Sequence, residues 1–370
     1  MAPISISNQT MSDISGFVPG PSGRGTLDIF WSCASVLILC TWTVVHIDVE
    51  INWLFIKLCH ATGAIFAPDV MLAEYIEDFV AVKCAVALYN ECMEEHQCAK
   101  WTMVEGFYAK MDGFTLDGER TLGVGDIITL VREGFIDPQP SYNKSIRDRS
   151  KADSLSKFIA CGQALWLIVQ GIARTIEHLP ISTLELGTIG YVFVACAMYA
   201  VNWHKPKDVR TTISIPLLHG ESYDDAIKAL EGAVYPVSIK WSPWRDKDIV
   251  GSVVACGACI AFGAWHCTAW SNFFPSHIEQ ELWRICAVLS TFPSLLVAIG
   301  NAQSTSSGSY VDLGLSETAR NRLSHLLYAF AAILYMFARG FLFVEMFIGL
   351  RRMPVGVFTT IQWTELIPHI

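Results

Sequence analysis

Apolar runs long enough to cross a bilayer recur along most of this chain, and that recurrence limits the folds open to it. A transmembrane helix needs about 20 mostly apolar residues. Seven segments meet or approach that length: residues 26–47, 53–75, 158–178, 182–203, 250–270, 280–300 and 326–349. Lipid offers backbone amides no partner, so each run must close its hydrogen bonds as a helix. The expected fold is all-α, a polytopic transmembrane helix bundle of about seven spans over residues 25–370, behind a polar tail of residues 1–24. The second run is the weakest, because Pro68, Asp69 and Glu74 interrupt its end. Composition points the same way: 52% of the 370 residues are hydrophobic and 16% charged, where soluble domains carry about 25% charged residues. A net charge of -9 argues against nucleic acid as a partner, since phosphate contacts need clustered Lys and Arg.

Two longer polar connections separate the spans, residues 80–157 and 205–249. Neither reads as an independent domain. The first mixes acids and bases and carries turn signals at Asp117-Gly118 and Asp137-Pro138. The second holds a short helix signal, Ser222 before Asp224, Asp225, Ile227 and Leu230. Its Trp241-Ser-Pro-Trp244 suits a membrane interface. Residues 1–24 lack the apolar stretch of a cleavable signal, so the first span is expected to stay as an anchor.

Lys and Arg placement sets the expected orientation, because basic loops favour the cytosol. Lys83, Lys144, Arg147, Arg149, Lys151 and Lys157 flank one connection, and Lys205, Lys207, Arg210, Arg245 and Lys247 the next. Arg320 and Arg322 follow span six. With seven crossings, all of these share a side with the N-terminus. The expectation is an integral, multi-pass protein of the endoplasmic reticulum, N-terminus cytosolic and C-terminus outside. Arg351 and Arg352 count against it. The sequons at Asn8 and Asn143 then both fall in the cytosol and read as chance matches.

Ionisable groups at membrane depth are costly and mark functional candidates. On this topology they sort into two levels. The outer level gathers Arg174, Glu185, His266, Glu279, Arg284 and Glu345 near helix ends. Gln163, Gln170 and Arg174 share one helical face, expected to point into the bundle. This level reads either as a network of ion pairs tying hairpins together or as a polar pocket. Arg339 sits mid-span and needs a partner that the sequence does not name. The inner level holds Asp28 and Asp69, with no base beside either in its span. Two carboxylates close together in low dielectric cannot both ionise cheaply, and an acid that keeps its proton is what general-acid chemistry requires. Asp69, assisted by Asp28, is therefore the expected catalytic pair, with Glu185, His266, Glu279, Arg339 and Glu345 as secondary candidates. Helix capping by Asp28 and solvation of Asp69 at the Ala67-Pro68 break are the structural alternatives.

Other chemistry is missing from the sequence. It has no GxGxxG after a strand, no GxxxxGK[ST], no HExxH and no GxSxG. Cys256 and Cys259 form a lone CxxC without a second pair, and most of the twelve cysteines lie in apolar runs as small hydrophobes. No cofactor and no metal are expected. Trp31, Trp42, Trp166, Trp203, Trp265, Trp270 and Trp283 fall in or beside spans. They read as interfacial anchors and packing, with a minority able to shield cationic carbon.

Several stretches resemble a large fungal family of polytopic membrane proteins. They are GRGTLDIFWSC (23–33), CTWTVVHI (40–47), FAPDVMLA (66–73), DRSKAD (148–153), QALWLIVQGIAR (163–174), LPISTLEL (179–186) and WHKP (203–206). HCTAW (266–270), LWRI (282–285), ARGFLFVE (338–345) and the terminal IPHI (367–370) extend the likeness over nearly the whole chain. Some relatives resemble the membrane terpene cyclases of ascochlorin- and ascofuranone-type meroterpenoid biosynthesis in fungal secondary metabolism. That resemblance implies acid-triggered opening of an epoxide on a prenyl chain, ring closure, and no metal, since no diphosphate leaves. The implied partner is a lipophilic prenylated small molecule reached from membrane lipid. A small-metabolite transporter and a non-catalytic membrane protein are the competing classes.

Overall fold

The computed structural model describes residues 14–15, 17, 24–48, 53–96, 98–149, 153–209, 211–232, 249–305 and 317–361. The described residues are mostly helical, with two small sheets. Among them, four helices are long and apolar enough to cross a membrane: Thr26–Val44, Phe158–Ile176, Thr183–Val201 and Ala329–Arg351. They belong to α1 (Thr26–Val44), α7 (Asp153–Ile176), α8 (Thr183–Val201) and α12 (Glu317–Ile348). Helices α10 (Ile249–His266) and α11 (His277–Thr305) cover the runs at 250–270 and 280–300. Lipid-type exposure marks α7, where Phe158, Leu165, Trp166 and Ile172 stand outward.

The bundle has two ends, fixed by contacts far apart in sequence. At one end, Ile14 and Ser15 (β1) pair antiparallel with Met353 and Pro354 (β5). Arg24 donates to the Glu185 carboxylate and, at 3.4 Å, to the Val357 carbonyl. Arg174 closes this end by donating only to backbone, namely the carbonyls of Pro180, Gly356, Val357 and Thr359 at 2.9–3.2 Å. From Thr183, α8 runs 19 residues to Val201, about 28 Å at the helical rise. At the other end Lys57 donates to Asp208 at 2.6 Å and lies over the Trp42 ring, and Lys205 pairs with Asp78 at 3.6 Å.

The run at 53–75 is not one span. Pro68 stops α2 (Trp53–Phe66), and α3 (Pro68–Cys92) starts with Pro in its first turn. Fourteen residues rise about 21 Å, short of a hydrocarbon core of about 30 Å. The chain enters beside Lys57 and reaches Tyr191, whose hydroxyl donates to the Ala64 carbonyl. It turns at Ala67, whose φ of -139 and ψ of 61 are not helical. It then descends to Tyr75, whose hydroxyl accepts from the His46 amide at 3.4 Å, and to Asp78 beside Lys205. Helices α2 and α3 thus form a re-entrant hairpin with its apex half-way through the bundle.

The two polar connections fold together rather than separately. The second half of α3 packs with α4 (Met103–Lys110), α5 (Val124–Arg132), α6 (Asn143–Arg149) and α9 (Tyr223–Gly232) on a core that includes Tyr89, Trp101, Phe107, Phe114, Ile127 and Leu230. Strand β4 (Ile213–Ile215), from the second connection, pairs parallel with β2 (Phe114–Leu116) of the first, and β2 pairs with β3 (Arg120–Thr121). The Asp117-Gly118 signal is the turn between β2 and β3, with φ of 48° and 86°. The Trp241-Ser-Pro-Trp244 element lies outside the described residues.

Residues 14–15 and 353–354, with Arg24 and Val357, lie at one end of the bundle, and Lys57, Asp78, Lys205 and Asp208 lie at the other. The sequence reading, which counted residues 53–75 as a crossing, had put the start of α1 on the side of the connections; the structure puts it at the opposite end of the bundle.

Candidate functional site

The apex of the re-entrant hairpin is held by polar groups from three other helices. Asp69, in the first turn of α3, is buried and accepts a hydrogen bond from the Tyr335 hydroxyl. One turn along α12, Arg339 Nε donates to the Phe66 carbonyl at 3.2 Å, and the guanidinium acts electrostatically on the Asp69 carboxylate. Arg339 Nη1 stands 3.4 Å from His266 Nε2, while His266 Nδ1 donates to the Phe262 carbonyl at 3.0 Å. Because a guanidinium can only donate, Nε2 is the acceptor of the Arg339 contact, which the tautomer protonated at Nδ1 supplies. The guanidinium also lies over the Phe262 ring, 4.3 Å from its centre. Arg339 therefore has its partners: the carbonyl at the end of α2 and the acid at the start of α3. An exposed helix end inside a bundle leaves carbonyls unsatisfied, and this one is capped by an arginine from α12.

Asp28 is elsewhere. It is exposed at the first turn of α1, where its carboxylate accepts from the Gly25 amide at 2.8 Å. That is a helix cap at the terminal end of the bundle, a few residues from Arg24. The expected pairing of Asp28 with Asp69 is not formed, and a base does stand beside Asp69. The first departure follows from the α2–α3 hairpin, which leaves the start of α1 and the start of α3 at different levels of the bundle; the base comes from α12, far away in sequence.

Glu185 has two structural tasks. Its carboxylate accepts from the Ser182 amide at 3.1 Å and from the Ser182 hydroxyl at 2.8 Å, closing a capping box at the start of α8, and it also receives Arg24. Arg174 serves carbonyls and no carboxylate among the described contacts. The stripe ahead of it does not point wholly inward, since Gln163 is exposed and Gln170 half-buried. Arg284 pairs with Glu281 at 2.8 Å and donates to the Trp270 carbonyl.

Glu345 and Glu279 form a different arrangement. Glu345, near the end of α12, is 4% exposed. Its Oε1 has no hydrogen-bond partner among the described residues, and neither has Glu279 Oε2. Glu279 Oε1 accepts from Arg351. Glu279 and Arg351 both act electrostatically on Glu345. Arg351 thus pairs with Glu279 and acts on Glu345 through space, so two carboxyls face one guanidinium charge. One turn beyond Glu279 on α11, Trp283 is buried against Phe274 at 5.4 Å, and its indole N–H donates to the His266 carbonyl at 3.1 Å. An incompletely bonded carboxyl near an aromatic wall can deliver a proton to an apolar substrate; Asp69 differs from Glu345 in that its Oδ1 holds the Tyr335 hydroxyl and the Arg339 charge faces it.

The sequence matches a family described as a family of unknown function, DUF8562, over residues 1–234 and 244–370. The chain belongs to DUF8562. Among curated proteins and among solved structures nothing matches. For this DUF8562 chain the site is therefore argued from its own geometry. Sequence reasoning missed Arg24 and Arg351 as the partners of Glu185 and Glu279. Both lie just beyond the ends of spans, where a base was counted as a loop charge. Cys256 and Cys259 have side chains outside those described. Cys33, Cys40 and Cys286 are buried free thiols.

Proposed function

We propose that this DUF8562 chain is a membrane-embedded, cofactor-independent terpene cyclase of fungal secondary metabolism, resident in the endoplasmic reticulum, acting on an epoxidised prenyl chain of a meroterpenoid. The observation that carries the proposal is the buried Glu345 carboxyl oxygen without a hydrogen-bond partner among the described residues, beside a second carboxyl already held by Arg351. In the proposed step Glu345 gives its proton to the epoxide oxygen and a carbon–oxygen bond breaks. An alkene or a hydroxyl of the chain then closes the ring on the electron-poor carbon. A proton is released to Glu279, so substrate and product are isomers. Burial strengthens such electrostatic steps because water does not compete. Substrate enters from the bilayer, which accounts for a bundle without a soluble catalytic domain. Within this reading α1, α7, α8, α10, α11 and α12 cross the membrane, and α2–α3 does not.

A second reading, a small-metabolite transporter, is favoured by one specific feature. Transporters place substrate at discontinuous helices near the bilayer midplane, and the Phe66–Asp69 apex is such a discontinuity. The two readings part in one experiment. Microsomes from a yeast host expressing the chain are incubated with epoxy-prenyl aromatic compounds, and products are followed by mass spectrometry and chromatography. A cyclase gives a product of unchanged mass and shifted retention that vector-control microsomes do not give. A transporter changes only the partition of the compound across the vesicle.

A further inference from the structure

Two glutamines of α7 are left over by the packing of their own bundle. The stretch Phe158–Ile176 is the least buried of the four helices long and apolar enough to cross a membrane, and it packs mainly on α1 and α8. Its buried seam runs through Ala160, Ala164 and Leu167. Gln163 and Gln170 lie to one side of that seam. Gln163 is exposed and Gln170 half-buried, and neither amide makes a hydrogen bond among the described residues. Both sit at least about 7 Å inside the ends of the apolar stretch. Hydrocarbon offers a carboxamide at that depth no hydrogen bond, and an unbonded amide in apolar surroundings is costly.

The same stripe has the spacing of a helix-pair seam. Ile159, Gln163, Trp166 and Gln170 follow one another at steps of four, three and four residues, the repeat that keeps one face of a helix against a parallel neighbour. Ile159 and Trp166 are exposed with Gln163. Gly162, next to Gln163, has open space where a side chain would stand, and small residues let membrane helices approach closely. Copies of one chain inserted in one orientation are related by a two-fold axis along the membrane normal. Residues near such an axis meet their own counterparts at the same depth. A glutamine carboxamide both donates and accepts, so it is complementary to itself. Two like charges at these positions would repel.

We propose that α7 is a homodimer interface, in which Gln163 and Gln170 of one copy exchange hydrogen bonds with Gln163 and Gln170 of a second copy of this chain. The two rungs are about 10 Å apart along the helix, with Ile159 and Trp166 packing beside them. The inference rests on α7 crossing the bilayer and is independent of the cyclase reading.

The test uses the full chain, co-expressed in yeast with two different epitope tags and solubilised in mild detergent. Capture of one tag should recover the other from wild type. The double variant Gln163→Leu/Gln170→Leu should lower that recovery about tenfold, since interhelical hydrogen bonds hold membrane helices together. Its level of inserted, folded protein should match wild type, because the two amides bond to nothing in their own bundle. In intact microsomes, Gln163→Cys in a Cys161→Ser background should oxidise to a disulfide-linked species of twice the chain mass. Ile333→Cys, exposed on α12, should not. Absence of the second tag from wild type, or equal recovery from the double-leucine variant, overturns the proposal. So does a cross-link through Ile333→Cys in place of Gln163→Cys. A cross-linked species of any other mass means that α7 docks a different membrane protein, and overturns the second copy as its occupant.

Discussion

Arg339 donates to the carbonyl of Phe66 at 3.2 Å, so α12 caps the open end of α2 in the interior of the bundle. The same guanidinium acts on Asp69 at the start of α3. One side chain therefore serves both sides of the break at Pro68.

The first prediction follows from this coupling. Arg339→Met strips a buried carboxylate of its counter-charge and leaves the Phe66 carbonyl unfilled. Losing one partner of a buried pair costs about 3–5 kcal/mol. Thermal unfolding in detergent should show that loss. Asp69→Asn in the Arg339→Met background should recover part of it, because the uncompensated charge is gone. Purely additive losses would mean that the two groups do not interact.

A second prediction concerns Asp28, whose observed bond is to the Gly25 amide. Asp28→Ala should lower stability by about 0.5–2 kcal/mol, the ordinary loss of a helix cap, and Asp28→Ser should restore most of it. Turnover per folded molecule should not change in either. A catalytic role would show as lost turnover in Asp28→Ser at normal stability.

Much of this architecture was legible in the sequence, and the gaps have physical causes. Spans α1, α7, α8 and α12 follow from uninterrupted apolar runs, because only a helix satisfies a backbone in lipid. The α2–α3 hairpin was not legible, since Pro68 reads the same whether a span kinks and continues or turns back. That one ambiguity decided at which end of the bundle the start of α1 was placed relative to the connections. The partners of Asp69 were hidden for a different reason. Tyr335 and Arg339 are more than 260 positions away, and apolar periodicity carries no information on which helices touch. The pairing of β2 with β4 was hidden in the same way.

The third prediction is a pH dependence in the first half of α3, beside the Asp78–Lys205 pair. Burial, then the neighbouring Glu74 and Asp78 carboxylates, push the Glu77 carboxyl up to about 6. A raised carboxyl means that the folded state binds this proton more tightly than the unfolded state. Its contribution to stability therefore falls as pH rises from about 4.5 through about 6. Glu77→Gln should stabilise the protein in detergent at pH 7.5 and have little effect at pH 4.5. An equal effect at both values would contradict the assignment.

The fourth prediction tests the central claim most directly. Glu345→Gln keeps the shape of the side chain and removes the proton, and loss of a general acid typically lowers the rate 10²–10⁴-fold. The measurement is turnover of an epoxy-prenyl aromatic substrate in microsomes, normalised to folded protein, for wild type, Glu345→Gln, Glu345→Asp and Asp69→Asn. The account predicts cyclised product from wild type, little from well-folded Glu345→Gln, partial activity from Glu345→Asp, and near-normal turnover per folded molecule from Asp69→Asn. Near-normal turnover in Glu345→Gln, with Asp69→Asn folded and inactive, would contradict it and return the proton to the apex of the re-entrant hairpin.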